Sequence, residues 1–315
     1  MKRILVTAGG TATAWHICQI VKKHFKNDIE IFLCDTNEPY LVPASILTKH
    51  IHKIPPVIDP EYVSSIAKII DTHHIDCIIP LIPQEAYSFA EDSGFCIMHK
   101  IKSSAPTIDT INLLADKLNL FHTLIKIGVP TPKVYEHNEI DLNSKYIVKP
   151  RLGFGSTGIK IISGAELIKE NTLDDCIIQE YCHDDDYNEV TVEVYKGSAG
   201  FHIFSRRRIS TKAGVCVKME AVDNDMFITY VGKLVDAVKC PCAFNIQFLR
   251  HQRQWKLFDC NLRLGAGTAL STAIGFQLTR ALLAELAEIN VEENWFEVDM
   301  TAKAVLRVYQ EIVVR

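Results

Sequence analysis

Residues 146–158 read YIVKPRLGFGSTG, from Tyr146 to Gly158. An apolar run carries a lysine to its end. A proline follows, then three glycines with a Ser-Thr pair between them. Strand alternation puts Ile147 and Lys149 on one face and Val148 on the other. Gly153, Gly155 and Gly158 free the next turn to fold close over a ligand and to offer backbone N–H donors. Ser156 and Thr157 add hydroxyls. The order differs from a Walker loop, where the lysine follows the glycines. Taken alone, the stretch is equally a phosphate cradle and an ordinary glycine-rich hairpin.

A second constellation shifts that balance. FNIQFL (Phe244–Leu249) and LFDCNLRLGAG (Leu257–Gly267) read as adjacent strands of a hairpin. Period-two spacing puts Asp259, Asn261 and Arg263 on one face, and Gln247 on the partner strand reaches the same face. One carboxylate and two amide oxygens make a hard, all-oxygen ligand set. Such a set suits Mg²⁺, which keeps waters and shares substrate phosphates. Arg263 beside them is placed to clamp phosphate or carboxylate oxygens bidentately. The alternative is a solvated face of an antiparallel pair, and metal binding is the preferred reading.

Composition narrows the rest. The chain has 315 residues, 48% of them hydrophobic, and a formal net charge of −4. That is enough for about two domains. Arg206-Arg207-Arg208 is the only basic run, so nucleic acid is not an expected partner. No apolar stretch approaches the roughly 20 residues of a membrane span, so no membrane partner is expected. MKRILVTAGG reads as a mature strand, not a signal peptide. The ten cysteines are scattered, and Cys240 and Cys242 form C-x-C instead of a C-x-x-C pair. They read as reduced, mostly buried thiols of a cytoplasmic protein. No H-E-x-x-H occurs, and no histidine is assigned to a metal.

Along the chain, the first hundred residues alternate strand and helix: RILVTAG, TAWHICQIVKKHF, EIFLCDTN, PEYVSSIAKIIDTHH and IDCIIPLIP. This βαβ pattern predicts a doubly wound parallel sheet. TAGGTATAW lacks G-x-G-x-x-G and reads as a tight turn, with anion binding at the helix N-terminus as the alternative. From Asp109 the pattern changes. TINLLADKLNLFHTLIKIG predicts one helix ended by Gly128. KYIVKP, IKII and CIIQEYC read as strands. NEVTVEVYKGSAGFHIFSRRRIS reads as a hairpin. DMFITYVGKLVDAVK, FQLTRALLAELAEI and TAKAVLRVYQEI read as helices.

Four segments, in order, resemble those of ATP-grasp enzymes: DKLNLFHTLIKIGVPTPKV, YIVKPRLGFGSTGIKII, IIQEYC with YNEVTVEVY, and FNIQFL with FDCNLRLGAG. The likeness is to a single module of the carbamoyl-phosphate synthase large-subunit type. The fold implied is α/β, with α+β character in its C-terminal part. A doubly wound pre-ATP-grasp domain (residues 1–108) would precede an ATP-grasp fold of two α+β subdomains, a lid (109–183) and a C-terminal subdomain with the metal site (184–315).

The resemblance also implies roles. Lys117 and Lys149 would contact ATP phosphates, with the Gly153, Gly155, Ser156, Thr157 and Gly158 turn as a mobile flap. Glu180, Tyr181 and Cys182 would be the hinge beside adenine, and Glu189 would hold the ribose hydroxyls. Gln247, Asp259 and Asn261 would hold Mg²⁺, with Mn²⁺ as the alternative ion. Arg263 and Lys149 would be catalytic, Arg263 stabilising the phosphoryl group in transfer. Two positions depart from the family: Asp259 stands where glutamate is usual, and Asn261-Leu262-Arg263 where N-P-R is usual. The acidic CHDDDYNE loop, with Asp184-Asp185-Asp186, reads as a solvated turn.

The activity expected is that of an ATP- and Mg²⁺-dependent ligase. It would activate a carboxylate as an acyl phosphate for attack by an amine or similar nucleophile. With one module and no glutaminase, carbamoyl phosphate is not the expected product. Arg206, Arg208 and Lys212 are the candidates for the acceptor carboxylate, with surface solvation as their alternative. The expected partners are a small-molecule carboxylate and an amine co-substrate, with homodimerisation left open. A small-molecule kinase, a non-catalytic nucleotide-binding regulator and a dinucleotide oxidoreductase are the alternatives.

Overall fold

A computed structural model describes residues 1–153, 157–170, 173–182, 189–212, 214–308 and 310–314. Gly155 and Ser156 of the glycine turn, and Asp184–Asp186 of the acidic loop, lie outside the described residues. The N-terminal part is a parallel sheet of β1 (Lys2–Val6), β2 (Ile29–Asp35), β3 (Ile51–Lys53), β4 (Cys77–Ile79) and β5 (Lys102–Ser103). Its order is β3-β2-β1-β4-β5, so the winding reverses between β1 and β4. Helices α1 (Ala12–His24), α2 (Tyr62–His73) and α3 (Gly94–His99) cover it. The central strands β1, β2 and β4 are largely buried, which explains their near-continuous apolar runs. Strand β4 stops at Ile79 although the apolar run continues, because Pro80 and Pro83 follow and proline cannot donate to a ladder. The Gly9-Gly10 turn is closed by Asp35, whose carboxylate accepts from Gly10 N at 2.7 Å.

The single helix expected over residues 110–128 is two, α4 (Ile108–Leu114) and α5 (Lys117–Lys126). Asp116 divides them. Its carboxylate caps α5, accepting from Leu118 N at 2.8 Å and Asn119 N at 3.1 Å, and pairs with Arg151 at 2.8 Å. Asp competes with the helical backbone in mid-helix and is favoured at a cap, so the break combines local capping with the long-range pair to Arg151.

A four-stranded sheet follows, ordered β6-β9-β7-β8. It holds β6 (Val134–Tyr135), β7 (Lys145–Pro150), β8 (Lys160–Ser163) and β9 (Cys176–Glu180), with α6 (Gly164–Leu167) after β8. Its small core is Tyr146, Val148, Leu167 and Ile178.

The last and largest sheet is ordered β14-β13-β10-β11-β12-β15, antiparallel throughout. Its strands are β10 (Glu189–Gly197), β11 (Gly200–Lys212), β12 (Val215–Val222), β13 (Ala243–His251), β14 (Gln254–Asn261) and β15 (Val305–Leu306). Helix α7 (Asp225–Ala237) packs Phe227, Val231 and Leu234 against Val190, Val192 and Val194 on one face. Helices α8 (Thr268–Thr272) and α9 (Leu278–Ala287) belong to the other side, where Leu283 and Phe276 join a core that also contains Ile4, Val6 and Ile17. That core fastens the large sheet to the N-terminal one.

Two elements correct the sequence reading. Strand β12 had no counterpart in it. The segment TAKAVLRVYQEI is also not helical where described. Val305 and Leu306 pair with Met219 and Lys218 at the free edge of β12, so an open ladder overrides helix propensity. None of the ten cysteines is bridged, and most are buried. Among the described residues no helix is long and apolar enough to cross a membrane.

Candidate active site

Register builds the site. Across four strands, Asp259 pairs with Gln247, Gln247 with Thr191, and Thr191 with Arg206. Paired residues share a face of a sheet, so these four side chains form one row. The neighbouring row is Asn261, Asn245 and Glu193. On the other side, Glu189 accepts from Arg208 Nη1 in a short contact and from Gln247 Nε2 at 3.1 Å. The polar lattice lies opposite the α7 face, because Val190, Val192 and Val194 alternate with Glu189, Thr191 and Glu193 along one strand.

The β13–β14 ladder is interrupted after Gln247, where Phe248 pairs with Leu257 and Phe258 is the extra residue. A bulge leaves one residue outside the ladder. The Phe258 carbonyl accepts from Lys149 Nζ at 3.5 Å, and Nζ lies 5.7 Å from the Phe258 ring centroid. The bulge thus meets the end of β7 from the small sheet. Between the sheets lies a cavity of about 330 Å³. Lys149, Gly153 and Thr157 line it from the small sheet, and Lys117 lines it from the start of α5. Lys117 Nζ points to the Gly153 carbonyl at 3.3 Å. Gln247, Asp259, Asn261 and Arg263 line the opposite wall, with Arg206 and Arg208 beside them.

Electrostatics of the wall are uneven. Lys149 is 4% exposed. Burial pulls its ammonium down to about 8, with Asp259 opposing the shift and Lys117 adding to it. Burial also lowers Arg263, again against the pull of Asp259. Arg206 and Glu193 form a buried pair at 3.3 Å, and burial raises the Glu193 carboxyl although Arg206 works the other way. Among the described residues, Lys117, Lys149 and Arg263 have no carboxylate partner at ion-pair distance, so the cavity presents a surplus of positive charge to a polyanion.

Glycine is required at two places. A Cβ on Gly267 would sit 2.1 Å from Arg206 Nη2, so the loop after β14 crosses directly over that guanidinium. Gly158 has φ +76, and a Cβ there would meet Pro150 at 2.9 Å, which closes the hairpin tightly over the end of β7.

The donor set fits a hard cation. Asp259 supplies one carboxylate, and Asn261 lies beside it, Nδ2 to Oδ2 at 3.1 Å. Among the described residues no group of three or more His, Cys, Asp or Glu side chains converges. A single carboxylate with amide oxygens suits an ion that completes its shell with water and phosphate.

Other expected site residues fall outside the cavity wall. Glu180 accepts from Lys256 Nζ at 2.8 and 2.6 Å and from Lys133 N at 3.0 Å. Burial pushes its carboxyl up, but those donors bring it below the usual range. Tyr181 and Cys182 follow it directly, and Lys212, the last residue of β11, pairs with Val215 of the lining but is not part of the lining itself. Glu189 acts on the wall through Arg208 and Gln247. Sequence reasoning missed Thr191, Glu193 and Asn245, although the period-two signal that put Gln247 and Asp259 on one face extends to all three through the strand register.

Residues 114–267 match the family described as ATP-grasp domain, and residues 4–94 match the family described as PylC-like, N-terminal domain. No curated protein matches the chain by sequence. Among solved structures, the biotin carboxylase–β,γ-ATP complex of Campylobacter jejuni is similar with a TM-score of 0.74, at 15% identity over 93% of this chain and 72% of that one. The N5-carboxyaminoimidazole synthetase of Staphylococcus aureus complexed with ADP gives 0.69 at 17% identity, over 92% and 78%. The L-amino acid ligase of Bacillus licheniformis gives 0.70 at 13% identity, over 91% and 74%.

Proposed function

The chain is an ATP-grasp protein with a PylC-like N-terminal domain, and from that premise we propose that it is an ADP-forming, Mg²⁺-dependent ligase. A carboxylate oxygen of the acceptor attacks the γ-phosphorus of ATP. The bond to the β-bridging oxygen breaks, and ADP leaves. An amine, or a similar nucleophile, then attacks the carbonyl carbon of the acyl phosphate, loses a proton and expels inorganic phosphate.

Such chemistry needs positioning and charge neutralisation more than a side-chain nucleophile. Lys117 and Lys149 hold the phosphates, with Gly153 and Thr157 lining the cavity beside them. Glu180, Tyr181 and Cys182 stand beside the base, and Glu189 holds the ribose. Gln247, Asp259 and Asn261 hold Mg²⁺, which when bound neutralises phosphate charge and orients the transferring group. Arg263 stabilises the charge that develops on the phosphoryl group. Arg206 and Arg208, each tied to a glutamate, shape the neighbouring part of the cavity wall.

The observation that carries this reading is the contact of Lys149 with the β14 bulge at 3.5 Å. It brings the strand lysine and the Asp259–Asn261 pair to one cavity from segments about a hundred residues apart. Similar structures solved with β,γ-ATP and with ADP support a nucleotide as ligand. The test is release of ADP and phosphate from MgATP, screened against small carboxylates and amines singly and in pairs. A ligase requires both substrates for phosphate release. ADP formed with one acceptor and a stable phosphorylated product overturns ligation in favour of a kinase.

A further inference from the structure

Beside the main cavity lies a second, smaller chamber of about 70 Å³. It shares Gly153, Asp259, Asn261 and Arg263 with the larger one, so the two open on each other where phosphoryl transfer is placed. Its remaining wall is apolar. Ile82 and Ala86 come from the turn after β4, Ile111 and Ala115 from α4 and its end, and Leu262 from the loop after β14. The turn after β4 stands beyond the carboxyl end of a strand at the point where the sheet reverses its winding, the usual ligand crevice of an open α/β sheet.

The wall is held firmly. Glu85 is fully buried, and its carboxylate accepts from Thr7 Oγ1 at 2.6 Å, from Ile82 N at 3.0 Å and from Tyr62 Oη in a short contact. Leu81 N donates to the same threonine at 2.9 Å. Those bonds pin the Leu81–Glu85 turn to β1 and α2. At the mouth, Arg263 Nε is buried and has no hydrogen-bond partner among the described residues. A buried guanidinium N–H without an acceptor is unfavourable, and an oxygen of a ligand entering the chamber relieves it.

The lining limits what fits. A water-sized group needs about 10–15 Å³, so the chamber takes roughly five carbon-sized groups. Among the described residues, the wall beyond Asp259 and Arg263 at its mouth has no charged group to meet an ammonium or a second carboxylate, and an unpaired buried charge is strongly disfavoured. An added methylene is worth about fourfold in affinity there.

We propose that this chamber is the side-chain subsite of the acceptor, which is a carboxylic or amino acid with a short, uncharged aliphatic chain. Its carboxylate lies at Arg263 and its chain lies between Ile82, Ala86, Ile111 and Ala115. The inference rests on the ligase reading and names its substrate class.

The test uses the full chain with MgATP and hydroxylamine, an amine that traps acyl phosphates, and reads ADP release. The panel runs from acetate to hexanoate and from glycine to leucine, with lysine and glutamate as charged counterparts. kcat/KM is expected to rise about fourfold per methylene until the chamber fills, then to fall. Charged chains of similar length are expected at least 100-fold lower. Ala86→Leu fills the chamber and moves the optimum to chains about three carbons shorter, and Ala115→Leu does the same from the opposite wall. Preference for a charged chain, or an optimum unmoved in both variants, overturns the subsite and leaves ligation standing. Binding of a non-hydrolysable ATP analogue with no acceptor of any class raising ADP release overturns both.

Discussion

Replacing Lys149 with methionine separates what the residue does for the fold from what it does for the ligand. The side chain is 4% exposed, and its nearest acceptor is a carbonyl at 3.5 Å. Burial holds its pKa at about 8, against an ordinary 10.5. Each tenfold change in proton affinity is worth about 1.4 kcal/mol, so keeping the ammonium charged in the folded state costs roughly 3 kcal/mol. Below pH 8 the lysine is protonated in both folded and unfolded chains, and the full penalty is present. Between pH 8 and 10.5 the unfolded chain binds more protons than the folded one, so the stability of the natural protein rises with pH. Methionine has nearly the same length and carries no charge. In ligand-free protein with a chelator present, Lys149→Met is therefore expected to be more stable at pH 7 by up to about 3 kcal/mol. The advantage shrinks steadily as pH climbs through that window. Urea denaturation at pH 7, 8.5 and 10 measures it directly. Affinity for MgATP moves the other way, falling at least 100-fold by calorimetry. A variant no more stable at pH 7, or one whose advantage is the same at every pH, refutes the electrostatic account.

Three further outcomes follow from the wall of the cavity. Arg263→Lys keeps the charge but loses the planar fork, so turnover should drop about 10²–10³-fold while nucleotide affinity, read by calorimetry, changes little. Asp259→Asn removes the only carboxylate of the metal set and should raise the Mg²⁺ concentration needed for half-maximal ADP release at least tenfold; an unchanged Mg²⁺ titration refutes the metal assignment. Glu193→Leu strands Arg206 in the interior and should destabilise the protein by about 3–5 kcal/mol, whereas Glu193→Leu with Arg206→Met should recover most of that loss in the same thermal-unfolding measurement.

Much of this wall was legible because a strand has period two. Once FDCNLR and FNIQFL were read as one hairpin, Asp259, Asn261, Arg263 and Gln247 had to share a face, and the register pairs Gln247 with Asp259 directly. The same logic extends to Thr191 and Glu193, which the eye passes over because threonine and glutamate on a strand are ordinary. What was not legible depends on partners distant in sequence. The break at Asp116 is stabilised by Arg151, and β15 exists because β12 has a free edge. Burial of Arg206 depends on a glycine at position 267 that allows the loop to cross over it. The small chamber joins the turn after β4 to the loop after β14, a meeting that no local pattern announces.

The candidate ligand groups are not waiting unbonded. Glu189 holds Gln247 and Arg208, Asn261 donates to Asp259, Lys117 rests on the Gly153 carbonyl and Lys149 on the Phe258 carbonyl. Binding of a nucleotide and cation at this wall is therefore an exchange of partners more than a filling of vacant positions. The resting bonds already have one ionised partner each, and for Lys117 and Lys149 the exchange replaces a neutral carbonyl acceptor with an anionic phosphate oxygen, which is the stronger partner. The gain per group is modest, but several groups change together, and they come from two different sheets. Lys117 and Gly153 belong to the wall built from α5 and the end of the small sheet, whereas Asp259 and Asn261 belong to the large sheet. A ligand that satisfies only one wall gains little over the resting bonds. A triphosphate with its cation satisfies both. On the proposed reading Arg263 serves both the transferring phosphoryl group and the acceptor, so ATP hydrolysis without acceptor should be slow compared with the coupled reaction, and equal ADP release with and without acceptor would refute it.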